Sequence, residues 1–91
     1  MESVRFRVYG KVQGVFYRKF IAQKLRQMGV RGYVRNLPDG SVEVVVRATG
    51  EELEAIRRAL EEGSPMSETD QIEVEFLDGD DLIVDGFEIR Y

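Results

Sequence analysis

Cysteine and histidine are both absent from this chain of 91 residues. Without cysteine there is no disulfide framework, no thiolate nucleophile and no thiolate-bound metal. Without histidine the usual general base near neutral pH is missing, as is the commonest zinc ligand. Any catalysis must run on other groups. No apolar run reaches the ~20 residues that cross a bilayer, and the N-terminus has no signal-peptide core. A cytoplasmic protein with no membrane partner is expected. Positive charge is in deficit: 13 Lys and Arg stand against 17 Asp and Glu, a net charge of −4. Nucleic-acid binders normally present a basic surface, so the balance argues against a nucleic-acid partner. The bases do crowd into the first 35 residues and the acids into the C-terminal half, which leaves a local basic patch open.

What is present suits one small domain, residues 1–91, with 43% hydrophobic residues and a single core. Val4, Phe6 and Val8 alternate with Arg5, Arg7 and Tyr9, the period of a half-buried strand. Tyr17, Ile21, Leu25 and Met28 recur at helical spacing with Phe20 beside them, and Lys19, Gln23, Lys24 and Arg26 fill the other face. Gly29 is a C-terminal stop. Residues 30–36 form a second strand, with Tyr33 and Val34 on opposite faces. Leu37-Pro38-Asp39-Gly40 is a turn, and residues 41–47 return as its hairpin partner with Val42, Val44 and Val46 inward.

Thr49-Gly50-Glu51-Glu52 is a capping box opening a second helix with Leu53, Ile56 and Leu60 on one stripe, and Ala55 and Ala59 allowing close packing. Gly63, Ser64 and Pro65 end it. Ile72, Val74 and Phe76 alternate with Glu73 and Glu75 as a fourth strand. Residues 87–91 make a short terminal strand at an edge. The order is β-α-β-β-α-β plus that strand. It predicts an α+β fold with two helices on one face of a mainly antiparallel sheet.

Between the first strand and the first helix lies Gly10-Lys11-Val12-Gln13-Gly14-Val15-Phe16-Tyr17-Arg18. Glycines let the backbone reach φ > 0 and approach a ligand, so successive N–H groups can converge on one oxyanion. The helix start adds unpaired donors and partial positive charge. Arg18 adds a planar fork that matches two phosphoryl oxygens. Neither of the familiar phosphate loops is present: there is no Gly-Lys-Ser/Thr ending and no Gly-x-Gly-x-x-Gly. As loop chemistry alone, an ordinary strand-to-helix turn explains the string equally well.

The other candidates also have plain readings. An arginine at a helix start opposes the helix dipole, which makes sense if an anion sits there; most surface arginines are merely solvated. Asn36 closes a strand before a turn and is by position an Asx-turn residue, yet its amide can both donate to and accept from a water. Glu51 and Glu52 suit a helix start and nothing more. Asp78, Asp80, Asp81 and Asp85 read as a solvated loop, because Leu82 breaks the spacing of a calcium loop. Phe6, Phe16, Tyr17, Phe20 and Tyr33 read as packing residues, and the strand holding Phe6 lacks the aromatic pair of an RNA-recognition sheet.

The string from Gly10 to Arg18 resembles the phosphate-binding signature of acylphosphatases. Gly32-Tyr33-Val34-Arg35-Asn36-Leu37-Pro38-Asp39-Gly40-Ser41-Val42-Glu43 resembles that family's second signature. The resemblance covers nearly the whole chain and weakens after Gly63. It implies a ferredoxin-like α/β sandwich and hydrolysis of carboxyl–phosphate anhydrides. Carried over residue by residue, it implies that Arg18 binds the phosphoryl group with loop N–H groups of Val12, Gln13, Gly14, Val15, Phe16, Tyr17 and Arg18. It implies that Asn36 orients the attacking water. Tyr17 departs from the phenylalanine usual before the arginine.

Such chemistry needs few groups. Acyl phosphates leave as carboxylates, whose simple pKa values are about 4, so no general acid is required. That fits a chain without histidine or cysteine, and it calls for no metal and no cofactor. The expected partners are a small-molecule acyl phosphate and inorganic phosphate, acting on a monomer. Two other readings stay open: a non-enzymatic anion-binding or regulatory module on the same sandwich, and RNA binding through the basic N-terminal part.

Overall fold

The computed structural model describes residues 1–14, 16–78 and 85–90. In chain order they form β1 (Glu2–Lys11), α1 (Tyr17–Gln27), β2 (Arg31–Asn36), β3 (Val42–Ala48), α2 (Gly50–Glu62), β4 (Glu68–Leu77) and β5 (Phe87–Arg90). The strands make one sheet in the order β4-β1-β3-β2-β5. Every pair is antiparallel except β2 with β5, which is parallel. This is the α+β ferredoxin-like arrangement: each helix follows a strand and packs back across the sheet.

Alternation explains the core. β1 and β3 set Val4 against Val46, Phe6 against Val44 and Val8 against Val42, and all six side chains are buried. β2 extends the row by pairing Val34 with Val44. Ile21 and Leu25 of α1 and Ile56 and Leu60 of α2 press on that face. Each such side chain stabilises the fold by roughly 1.5–3 kcal/mol. Among the described residues no helix covers the other face, which carries charge: Glu43, buried, lies between Arg35, 2.7 Å away, and Arg5, 3.6 Å away.

Strand or helix position and burial part company in two places. Val74 and Phe76 do alternate within β4, but they are exposed; only Ile72 of that set packs against the core. β4 is an edge strand, and its period reports which side a residue takes, not whether a helix covers it. Ala55 is likewise exposed, while Ala59 is buried. The second and third strands begin one residue later than expected, and Ser41 is a buried turn residue. Within the acidic loop, Asp78 and Asp85 are exposed, whereas Asp80, Asp81 and Leu82 lie outside the described residues, as does Tyr91 of the expected terminal strand.

Candidate active site

Strands β1, β2 and β5 run the same way, so their C-terminal ends collect at one end of the sheet. There the chain leaves β1 and enters α1. Gly14 takes φ 73°, and Phe16, at the N-cap, takes φ 61° and ψ 20°, the left-handed region. For a bulky side chain that costs roughly 1–2 kcal/mol. Phe16 recovers none of it by burial, being 73% exposed. It supplies no side-chain cap, and no acidic residue occupies the first turn of α1. The helix therefore presents uncapped N–H groups and an uncompensated positive dipole end.

A hollow of about 320 Å³ lies in front of this helix start. Arg18 and Lys19 line it from α1, and Val12, Gly14 and Phe16 from the loop. Asn36 reaches it from the end of β2 and Ile89 from β5. Asn36 shares the face of Val34, two residues back, so strand alternation points it to the helix side. Its Oδ1 is buried and has no hydrogen-bond partner among the described residues. Leaving a buried acceptor unpaired costs about 1–3 kcal/mol unless a water or ligand fills it. Arg18 Nη1 donates to the Arg90 carbonyl at 3.0 Å, which fixes the guanidinium across the mouth toward β5.

The loop residues divide by task. Val12 is buried, and its N–H already donates to the Gly10 carbonyl at 3.1 Å, so it contributes wall. Gly10 belongs to the sheet: a Cβ there would overlap the Glu68 carbonyl of β4, at the point where the β1–β4 register shifts. A Cβ on Gly14 would meet nothing within 4 Å, so that glycine answers only the positive φ. Gln13 Nε2 donates to both the Leu37 and Ser41 carbonyls, each at 2.9 Å. Tyr17 is buried, and its hydroxyl donates to the Leu60 carbonyl at 2.8 Å, so the oxygen that sets it apart from phenylalanine ties the two helices together. Burial holds that phenol well above its ordinary pKa. Val15 lies outside the described residues.

The sequence model of the family described as Acylphosphatase matches residues 4–89. The chain belongs to the acylphosphatase family. Among curated relatives it is 38% identical to an acylphosphatase of Thermococcus kodakarensis, over 98% of each chain. It is 42% identical to one of Haloarcula marismortui, covering 92% of this chain and 90% of that one. Its fold superposes on the crystal structure of acylphosphatase from Bacillus subtilis with a TM-score of 0.92 and 31% identity, over the whole of both chains. As a member of the family it is an enzyme of the hydrolase class. The family match includes both walls of the hollow, the helix start that carries Arg18 and the strand end that carries Asn36. Among the described residues no helix is long and apolar enough to cross a membrane.

Two contributions to this acylphosphatase hollow, and one bond beside it, escape sequence reading. Lys19 reads as part of a solvated helix face, yet it lines the hollow. Ile89 arrives through the parallel pairing of β5 with β2, which no local signal announces. The side chain of Gln13 serves the hairpin turn rather than the hollow.

Proposed function

We propose that the protein hydrolyses acyl phosphates to a carboxylate and inorganic phosphate, by direct attack of a water aimed by Asn36 on a phosphoryl group held by Arg18 and the loop. The observation that carries this reading is the meeting of Arg18 with the unpartnered Asn36 Oδ1 at one hollow before an uncapped helix start. The guanidinium has five N–H donors in a planar fork, a geometry that suits phosphoryl oxygens. N–H groups of residues 13–18 and the dipole of α1 complete an anion cradle, with Val12 as its floor. Lys19 adds long-range attraction.

Asn36 Oδ1 accepts a hydrogen bond from the water and turns a lone pair toward phosphorus. As the water oxygen bonds to phosphorus, the phosphorus–acyl oxygen bond breaks, and its electron pair leaves with the carboxylate. The water proton passes to a phosphoryl oxygen. Such a reaction depends on positioning and on neutralising equatorial oxygen charge, and both are within reach of amides and one arginine. No metal is needed, because arginine and backbone donors supply the positive field. The substrate is a small molecule, and the enzyme acts as a cytoplasmic monomer.

The test is hydrolysis of acetyl phosphate beside a phosphate monoester with a poor leaving group, each with and without a chelator. Turnover confined to the acyl phosphate and indifferent to the chelator is expected. Strict magnesium dependence, or phosphate binding with no turnover, would overturn the proposal; the second outcome would mark an anion-binding module.

A further inference from the structure

We propose that Gln13 is a positioning residue that sets the distance between the phosphate cradle and the water-aiming Asn36, an inference that rests on the reading of Asn36 given above. Gln13 sits in the cradle loop, one residue before Gly14. Its side chain turns away from the phosphoryl group and spends both amide protons on the neck of the hairpin: one on the Leu37 carbonyl and one on the Ser41 carbonyl, both at 2.9 Å. Leu37 directly follows Asn36, and Ser41 directly precedes Val42, the residue paired with Asn36. The two anchors therefore flank Asn36 along the strand and across it.

The turn does not need Gln13 to form. Leu37 N–H donates to the Ser41 carbonyl at 2.8 Å, and Gly40 N–H to the Leu37 carbonyl at 3.2 Å. Asp39 Oδ1 accepts from Ser41 N–H at 3.0 Å and from its hydroxyl, which holds the Asp39 carboxyl below its ordinary pKa. With the hairpin closed by its own bonds, the Gln13 amide acts on the relation between two units, the loop and the turn. β3 separates β1 from β2 in the sheet, so no backbone ladder joins these strand ends directly. Among the described residues, the Gln13 amide is the side-chain hydrogen bond that bridges the cradle loop to this turn. In-line attack requires the reacting atoms aligned at about 3–3.5 Å, and a misplacement of about 1 Å can cost on the order of 100-fold.

Gln13→Met keeps the length and volume but removes both donors. The measurement is kcat for acetyl phosphate and the inhibition constant for inorganic phosphate, in a cycle with Asn36→Ala. A fall in kcat of roughly 10- to 100-fold is expected, with the phosphate inhibition constant and Tm nearly unchanged. In the Asn36→Ala background the same substitution should cost almost nothing more, because the residue it positions is gone. An unchanged kcat would overturn the inference. So would a loss that multiplies with that of Asn36→Ala, since it would place the effect elsewhere, or a parallel loss of phosphate affinity, since it would place the Gln13 side chain, and not only its N–H, in the cradle itself. If Asn36→Ala alone keeps full activity, the water-aiming reading falls first and the inference falls with it. Gln13→Ala repeats the cycle should the methionine fail to fold.

Discussion

The two helices of this molecule begin in opposite ways. At α2, Thr49 accepts from the Glu52 N–H at 3.3 Å, and the Thr49 N–H donates to Glu52 Oε1 at 2.9 Å. Glu51 and Glu52 set negative charge against the dipole. At α1 none of this is done: a left-handed Phe16 stands at the cap, no side chain closes it, and Arg18 and Lys19 stand in the first turn. On the proposed reading, a chain that caps one helix fully and leaves the other bare, with cations where anions belong, keeps the start of α1 for a ligand. The ligand that would satisfy it is an anion. The start of α2 is built for stability, and that of α1 gives stability up.

The contrast can be broken most severely at Arg18. Arg18→Ala should lower acetyl phosphate turnover on the order of 1,000-fold or more and abolish inhibition by phosphate, measured in the same steady-state assay. Asn36→Ala should come next, with a loss on the order of 100-fold in kcat while phosphate inhibition is largely kept. Near-normal activity in either variant would remove that residue from its role. Lys19→Glu rewrites α1 in the manner of α2. It should weaken phosphate inhibition roughly tenfold, the scale of a charge reversal at the edge of a solvated hollow. Chemical denaturation should show the same variant stabilised by about 0.3–1 kcal/mol, because an acid now faces the dipole. Thr49→Ala does the reverse at the other helix: about 1 kcal/mol of stability lost, with kcat/KM untouched. If Lys19→Glu gained no stability, or Thr49→Ala changed catalysis, the division of labour between the two helix starts would not stand.

How much of this was legible beforehand follows from the range of each signal. The Thr49–Glu52 box is written in four consecutive residues, and the structure forms it in full. The rows of Val4, Phe6 and Val8 and of Val42, Val44 and Val46 are local alternations, and all are buried. Their strings single out Arg18 and Asn36, and the two line one hollow because β1 and β2 flank β3 in parallel, a property of the whole sheet. The sequence groups Gly10 with Gly14 in one loop, yet Gly10 answers to the β4 backbone, a partner nearly sixty residues away in the chain. Val74 and Phe76 kept the strand period without the burial, since no local pattern tells an edge from a centre. The amide of Gln13 and the arrival of Ile89 are tertiary facts in the same sense.

The most direct test of the central claim is a titration of the isotope-labelled protein with inorganic phosphate, read by backbone amide NMR. The account predicts saturable shifts of the amides of residues 13–18, with those of residues 49–52 at the start of α2 unmoved. Phosphate binding that leaves residues 13–18 silent, or that shifts both helix starts alike, would contradict it.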